Sequence, residues 1–111
     1  MAIISNLTID QGSTFSVDID VTDADGDALN LTNYTVKGQM RKTYTSSTAT
    51  TFESEITNAT GGVVTISLTA TTTNGLKAGR YVYDVEITSP TSVVTRIVEG
   101  QVEVTPGVTQ I

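Results

Sequence analysis

The chain has no cysteine, no histidine and no tryptophan among its 111 residues, and each absence removes a class of function. Without cysteine there is no disulfide, no thiolate nucleophile and no zinc–thiolate site, so stability must come from packing. Without histidine the usual proton shuttle is missing, and acid–base or nucleophilic chemistry falls to carboxylates, hydroxyls, lysine and tyrosine. No pair of carboxylates stands in a recognisable glycosidase motif. Aromatic residues make up only 5% of the chain, which leaves little platform for stacking a sugar. Cations are scarce as well: six Lys and Arg against twelve Asp and Glu give a formal charge of −6. A surface of that sign repels phosphate and argues against a nucleic-acid partner. Met1-Ala2-Ile3-Ile4-Ser5 lacks the basic start and long apolar run of a secretory signal, and no stretch approaches the roughly 20 apolar residues that span a bilayer. The expectation is a protein made in the cytoplasm, with no membrane segment, no cofactor and no catalytic residues.

About one residue in five is threonine, and 38% of residues are hydrophobic. The β-branched side chain is restricted in a helical turn and packs well on a pleated surface, so the bias favours strands. The length suits one core and one domain over residues 1–111. Turn chemistry separates about seven alternating segments. A first edge strand is expected near Ile3 to Asp10. Thr14 to Val21 follows, with Phe15, Val17, Ile19 and Val21 inward and Ser16, Asp18 and Asp20 outward. In the third, Tyr34 to Lys42, Val36, Gly38 and Met40 oppose Lys37, Gln39 and Arg41. Thr43 to Thr51 reads as a polar loop or irregular edge. Phe52 to Thr57 and Val63 to Leu68 form a hairpin through Gly61-Gly62, and Thr69 to Ala78 holds one helical turn. The last strand, Val93 to Thr105, contains Gly100, which predicts a bulge or bend.

The strongest architectural signal is Leu76 to Ile87. It joins a corner marked by Gly79 to a strand on which Tyr81, Tyr83, Val85 and Ile87 share one face. A tyrosine just after such a corner can return its hydroxyl to upstream backbone while its ring fills the space between sheets, the tyrosine corner of immunoglobulin-like sandwiches. The predicted fold is therefore an all-β, immunoglobulin-like antiparallel sandwich of about seven strands, with Tyr81 and Phe15 in its core.

Three groups are candidate sites. Asp23, Asp25 and Asp27 alternate as in a calcium loop, but Ala28 and Tyr34 stand where that loop needs Gly and Glu, so a strand-connecting turn is the preferred reading over a weak Ca²⁺ site. Lys37 and Arg41 point the same way from one strand. Cross-strand pairs with Asp84 and Glu86 account for them, the alternative being a polar docking stripe. The uncharged ends, with Ile3, Ile4 and Leu7 at one and Val108 and Ile111 at the other, are candidate partner-binding segments. Four Asn-x-Thr triplets at Asn6, Asn30, Asn33 and Asn58 read as turn and edge residues.

Together, Asp25 to Thr32, Val36 to Arg41, Leu76 to Val85 and Val98 to Val102 resemble a family of small virion structural proteins of tailed bacteriophages, similar also to the N-terminal module of phage upper baseplate proteins. The resemblance implies an immunoglobulin-like module that attaches to or decorates a particle, in many copies, with other virion proteins as partners and the virion as its location. It brings no catalytic residues. A host-surface glycan or receptor module is the alternative, with a hydrolase far behind.

Overall fold

The computed structural model describes residues 3–107. Among these residues nine strands, numbered in chain order, form two sheets. The smaller has the order β3 (Phe15–Asp20), β7 (Val63–Leu68), β6 (Glu53–Asn58), antiparallel throughout. In the larger, β8 (Gly79–Thr88) lies between β4 (Thr35–Arg41) and β9 (Val94–Thr105), with β5 (Thr50–Thr51) beyond β4. β1 (Ile3–Ile4) and β2 (Leu7–Asp10) share the outer side of β9. Placing the second, fifth and fourth long strands in one sheet and the third, sixth and seventh in the other is the immunoglobulin-like arrangement. The all-β sandwich expected from the alternation is thus present.

Three sequence expectations are corrected. The first strand is broken into β1 and β2, and both run parallel to β9, so the larger sheet is mixed. The segment also has an internal role, because Ile9 is 1% exposed and sits in the core. The irregularity in β9 falls at Ile97. Val85 faces Val98 but Glu86 faces Arg96, so Ile97 is the extra residue of a bulge, and Ile97 and Val98 are both buried. Gly100 serves a different purpose: a Cβ there would collide with the carbonyl of Ser5, which crosses close over it. Finally, the aromatic centre is Phe52 and Tyr83, at 3% and 5% exposure, whereas Phe15 and Tyr81 are half-buried at its margin.

Tyr81 still makes the corner, its hydroxyl donating to the Lys77 carbonyl at 2.7 Å. Two residues on, where disulfide-linked immunoglobulin domains place their second cysteine, stands Tyr83. Its ring meets Phe52 edge-on at 6.1 Å, and Phe52 meets Phe15 at 6.2 Å. In a cysteine-free chain this aromatic stack bridges the sheets at the position a disulfide would take. The Tyr83 hydroxyl donates to the Ser5 carbonyl at 2.6 Å, fastening the segment between β1 and β2, and burial pushes the phenol pKa up.

The β6–β7 hairpin turns at Gly62 with φ +70°, and a Cβ there would lie 2.6 Å from the Val21 carbonyl oxygen. After β7 a helix, α1 (Ala70–Asn74), starts with the Thr69 side chain accepting from the Thr72 amide. It buries Thr73 completely. The Thr73 hydroxyl donates to the Ser13 carbonyl at 2.8 Å and accepts from the Gly12 amide at 3.1 Å, locking the helix under the β2–β3 connection. No helix among the described residues is long and apolar enough to cross a membrane.

Candidate interaction surfaces

The aspartate loop resolves into backbone geometry. The amides of Asp25 and Asp27 both donate to one carboxylate oxygen of Asp23, at 2.9 and 3.1 Å. The Asp23 amide in turn donates to the Asp27 carbonyl at 2.8 Å, and a Thr22–Ala28 bridge closes the base. Asp23 therefore spends its carboxylate on the turn, as Asx residues do. Among the described residues no three His, Cys, Asp or Glu side chains are grouped to hold a metal ion.

The stripe on β4 is assembled differently from its expectation. Lys37 stands opposite Glu86 and Gln39 opposite Asp84. The carboxylates pair elsewhere: Arg96 of β9 reaches Asp84 at 3.3 Å and Glu99 at 3.0 Å. Glu99 and then Asp84 hold the guanidinium firmly charged. Arg41 donates to the Ser46 carbonyl at 2.6 Å and to Gln39 at 3.2 Å, bracing the β4–β5 loop. Lys37 is exposed. Alternation along β4 located this face, but Arg96 comes from the opposite flank of β8, a neighbour that no local pattern reveals. Arg41, Tyr44, Asp84, Arg96 and Glu99 border a shallow depression of about 300 Å³ on this sheet. The ion pairs are exposed, so they shape the surface more than they stabilise the fold.

The sheet edges differ in how they are protected. β3 presents Asp18 and Asp20 to solvent, β6 presents Glu53 and Glu55, and β5 is two residues long. Outward charges and short strands discourage pairing with another chain. The β1 side has neither device in its first residues: Ile3 and Ile4 are 57% and 75% exposed. Pairing on this side of β9 begins at Val98, so Val94 to Ile97 have no partner there among the described residues. Val93 and Val94 are exposed at the same corner. Of the five exposed large hydrophobics among the described residues, Ile3 and Val93 line one groove, Ile4 and Val94 follow them in the chain, and the fifth is Tyr44. Leu7, by contrast, is half-buried and packs on the core. Val108 and Ile111 lie outside the described residues.

Beside this corner an open groove of about 820 Å³ runs across the end of the sandwich. Ile3, Leu29, Tyr34, Ile87, Val93 and Ile97 supply apolar wall, and Asp20 and Asp23 stand on it with no cation. Sequence reasoning identified Ile3 and Ile4 but missed Val93 and Val94. The bulge at Ile97 turns Val94 to the other face from the one that alternation back from Val98 would give it.

No protein-family model matches the chain, and comparison with curated proteins finds no match. Solved structures do resemble it at low identity. An internalin-like protein of Listeria monocytogenes aligns over 96% of this chain and 28% of its own, with 16% identity and a TM-score of 0.46. Murine CRIg aligns over 92% of both chains, with 13% identity and a TM-score of 0.42. A family 123 glycoside hydrolase from Clostridium perfringens aligns over 97% of this chain and 24% of its own, with 13% identity and a TM-score of 0.43. The chain thus spans about a quarter of the internalin-like protein and of the hydrolase.

Proposed function

We propose that this module is an accessory structural protein of a tailed bacteriophage virion, present in many copies, that binds other virion subunits and catalyses nothing. The observation that carries the reading is the groove lined by exposed Ile3 and Val93, with Ile4 and Val94 exposed next to them in the chain, on a sandwich whose other described edges are charged or short. An edge left apolar and unpaired is a template for a partner's chain. The resemblance of Asp25 to Thr32 and of Leu76 to Val85 to phage virion modules supplies the setting. An acidic, threonine-rich remainder keeps such a module soluble before assembly.

The test is to purify particles, separate heads from tails, and quantify this chain in each. Incorporation at fixed stoichiometry in one fraction is expected. Ile3→Lys with Val93→Lys should lower the copy number while the isolated domain keeps its melting temperature within a few degrees, as surface substitutions usually do. Absence from washed particles, or specific binding of the purified domain on a host-glycan array, would overturn the reading.

A further inference from the structure

We infer that the outer face of the larger sheet is a contact between two copies of this chain, packed face to face about a two-fold axis that runs along β8. The inference goes beyond the groove reading and uses a different surface.

Strand register gives this face its apolar content. Ile4 pairs with Glu99 and Val94 with Thr88, so both side chains leave the sheet on the side of Asp84 and Glu86, away from the core. Ile3 and Val93, one residue earlier in each case, line the groove instead. Tyr44 belongs to the outer face as well, where it borders the depression with Val82, Asp84 and Arg96. Three of the five exposed large hydrophobics among the described residues, Ile4, Tyr44 and Val94, therefore stand on one face, with half-buried Val82 at its centre. Exposed tyrosine and arginine side chains are enriched at the centres of protein contacts.

Charge says what covers the face. The chain carries −6 in all, but the outward residues of β4, β8 and β9 balance. Lys37, Arg41, Arg80 and Arg96 supply the cations. Asp84, Glu86, Glu99 and Glu103 answer them, and Arg96 already joins Asp84 to Glu99. The outer face of the smaller sheet carries Asp18, Asp20, Glu53 and Glu55 with no cation among the described residues. A two-fold contact lays a face on a copy of itself, so the smaller sheet would set carboxylates against carboxylates, whereas the larger sheet brings balanced charge to balanced charge. An unlike partner imposes no such balance, because it can supply the opposite sign itself.

Size and orientation agree. Five strands at about 4.8 Å spacing and the 10 residues of β8 at about 3.3 Å each give a face of about 800 Å², close to the area of about 800 Å² that one partner buries in a standard interface. Lys37, Arg41 and Tyr44 lie on the β4 side of β8, and Ile4, Glu99 and Glu103 on the β9 side. A two-fold parallel to β8 lays one flank on the other. It puts Tyr44 over Ile4 of the second copy, since both stand at the level of Glu99, and turns the cations of β4 toward the carboxylates of β9. An axis across the strands would instead oppose Lys37 and Arg41 to their own copies.

Sedimentation velocity on the 111-residue chain at concentrations up to about 1 mM should show monomer and dimer and nothing larger. Tyr44→Ala and Val82→Lys should each weaken the dimer at least about tenfold, and Tyr44→Ala, in an exposed loop, should leave the melting temperature unchanged. Because the chain lacks cysteine, single thiols report the geometry. Oxidised Val82→Cys should cross-link to itself, and Tyr44→Cys should cross-link to Ile4→Cys in a mixture faster than either does to itself. Thr65→Cys, on the outer face of the smaller sheet, should stay monomeric. A monomer at every concentration, species beyond the dimer, a dimer indifferent to Tyr44→Ala, or Thr65→Cys cross-linking as fast as Val82→Cys would overturn the inference. Ile3→Lys with Val93→Lys alters the groove alone and should leave the dimer intact, so the two surfaces fail separately.

Discussion

The two ends of the sandwich are held in different ways. At the helix end, side chains from distant segments tie one loop to another: Gln11 donates to the Leu76 carbonyl at 2.7 Å, and Thr73 of α1 accepts from the Gly12 amide and donates to the Ser13 carbonyl. At the groove end the β3–β4 connection is tied to the β6–β7 hairpin through backbone, the Val21 amide donating to the Gly62 carbonyl and the Leu31 amide to the Ala59 carbonyl, each at 2.7 Å, but the two turns that flank the groove each close on themselves. Asp23 caps its own turn, and the turn before β9 closes through Ser89, whose hydroxyl accepts from the Val93 amide at 3.0 Å. Among the described residues no hydrogen bond joins those two loops. Cross-tied loops resist separation. Self-capped loops around an apolar groove leave the surface between them available to a partner, so the first end serves the fold and the second serves attachment.

The comparison presumes a core common to both ends, and Phe52→Ala tests it most severely. The ring touches Phe15 and Tyr83 across the sheets, so its loss should cost about 3–5 kcal/mol, read as a lower urea midpoint. Tyr81→Ala, truncating a half-buried ring, should cost less. A reversed order would mean that the corner, not the stack, holds the sheets together.

Thr73→Val probes the tied end directly. Nearly isosteric, it leaves the Gly12 amide and Ser13 carbonyl without their partner, for an expected loss of about 1–3 kcal/mol. Hydrogen exchange should quicken in α1 and the β2–β3 connection while the groove-end loops stay unchanged. Equal acceleration at both ends would erase the distinction.

Tyr83→Phe sharpens it through pH. The phenol pKa is raised from 10.0 by burial, so above that pH the unfolded chain loses its proton before the folded one does. The unfolded state then binds fewer protons, and stability falls as pH rises. The stabilisation is fully present below pH 10.0 and is lost as pH climbs through the folded value. The variant should show a shallower decline above about pH 10 in denaturant midpoints, and a looser β1 segment through loss of the Ser5 bond. An identical alkaline slope would show that Tyr83 ionises as freely folded as unfolded.

Asp23→Ala should have the smallest effect, about 0.5 kcal/mol or less, because the loop it caps is exposed and bound to nothing else. Calcium should change the melting temperature of neither protein. A shift specific to the Asp23 chain would turn the groove end from a docking surface into a metal site.

Much of this was legible in the residues. Strict alternation in Thr14 to Val21 and in Tyr81 to Ile87 predicted which side chains face inward, because the strand period is a local property of backbone geometry. The Gly62 turn, the one-turn helix and the tyrosine corner were visible for the same reason. The broken first strand, the bulge at Ile97 and the Arg96 pairs were not, since each depends on which strand lies alongside. Of the candidate sites, Ile3 and Ile4 remain exposed while Leu7 folds inward, and their common absence of charge could not separate them.

By itself, then, the sequence determined an all-β sandwich with an aromatic corner, no thiol chemistry and an acidic surface, all consequences of residue type and short-range periodicity. Only the tertiary structure decided that the N-terminal segment runs parallel along β9, that Tyr83 stacks edge-on against Phe52 in the core, and that Val93 and Ile3 line one groove. The parallel pairing joins residues about ninety-five positions apart and the aromatic stack residues about thirty apart, and pairing at such separations is selected by the packing of whole sheets, which no local pattern encodes.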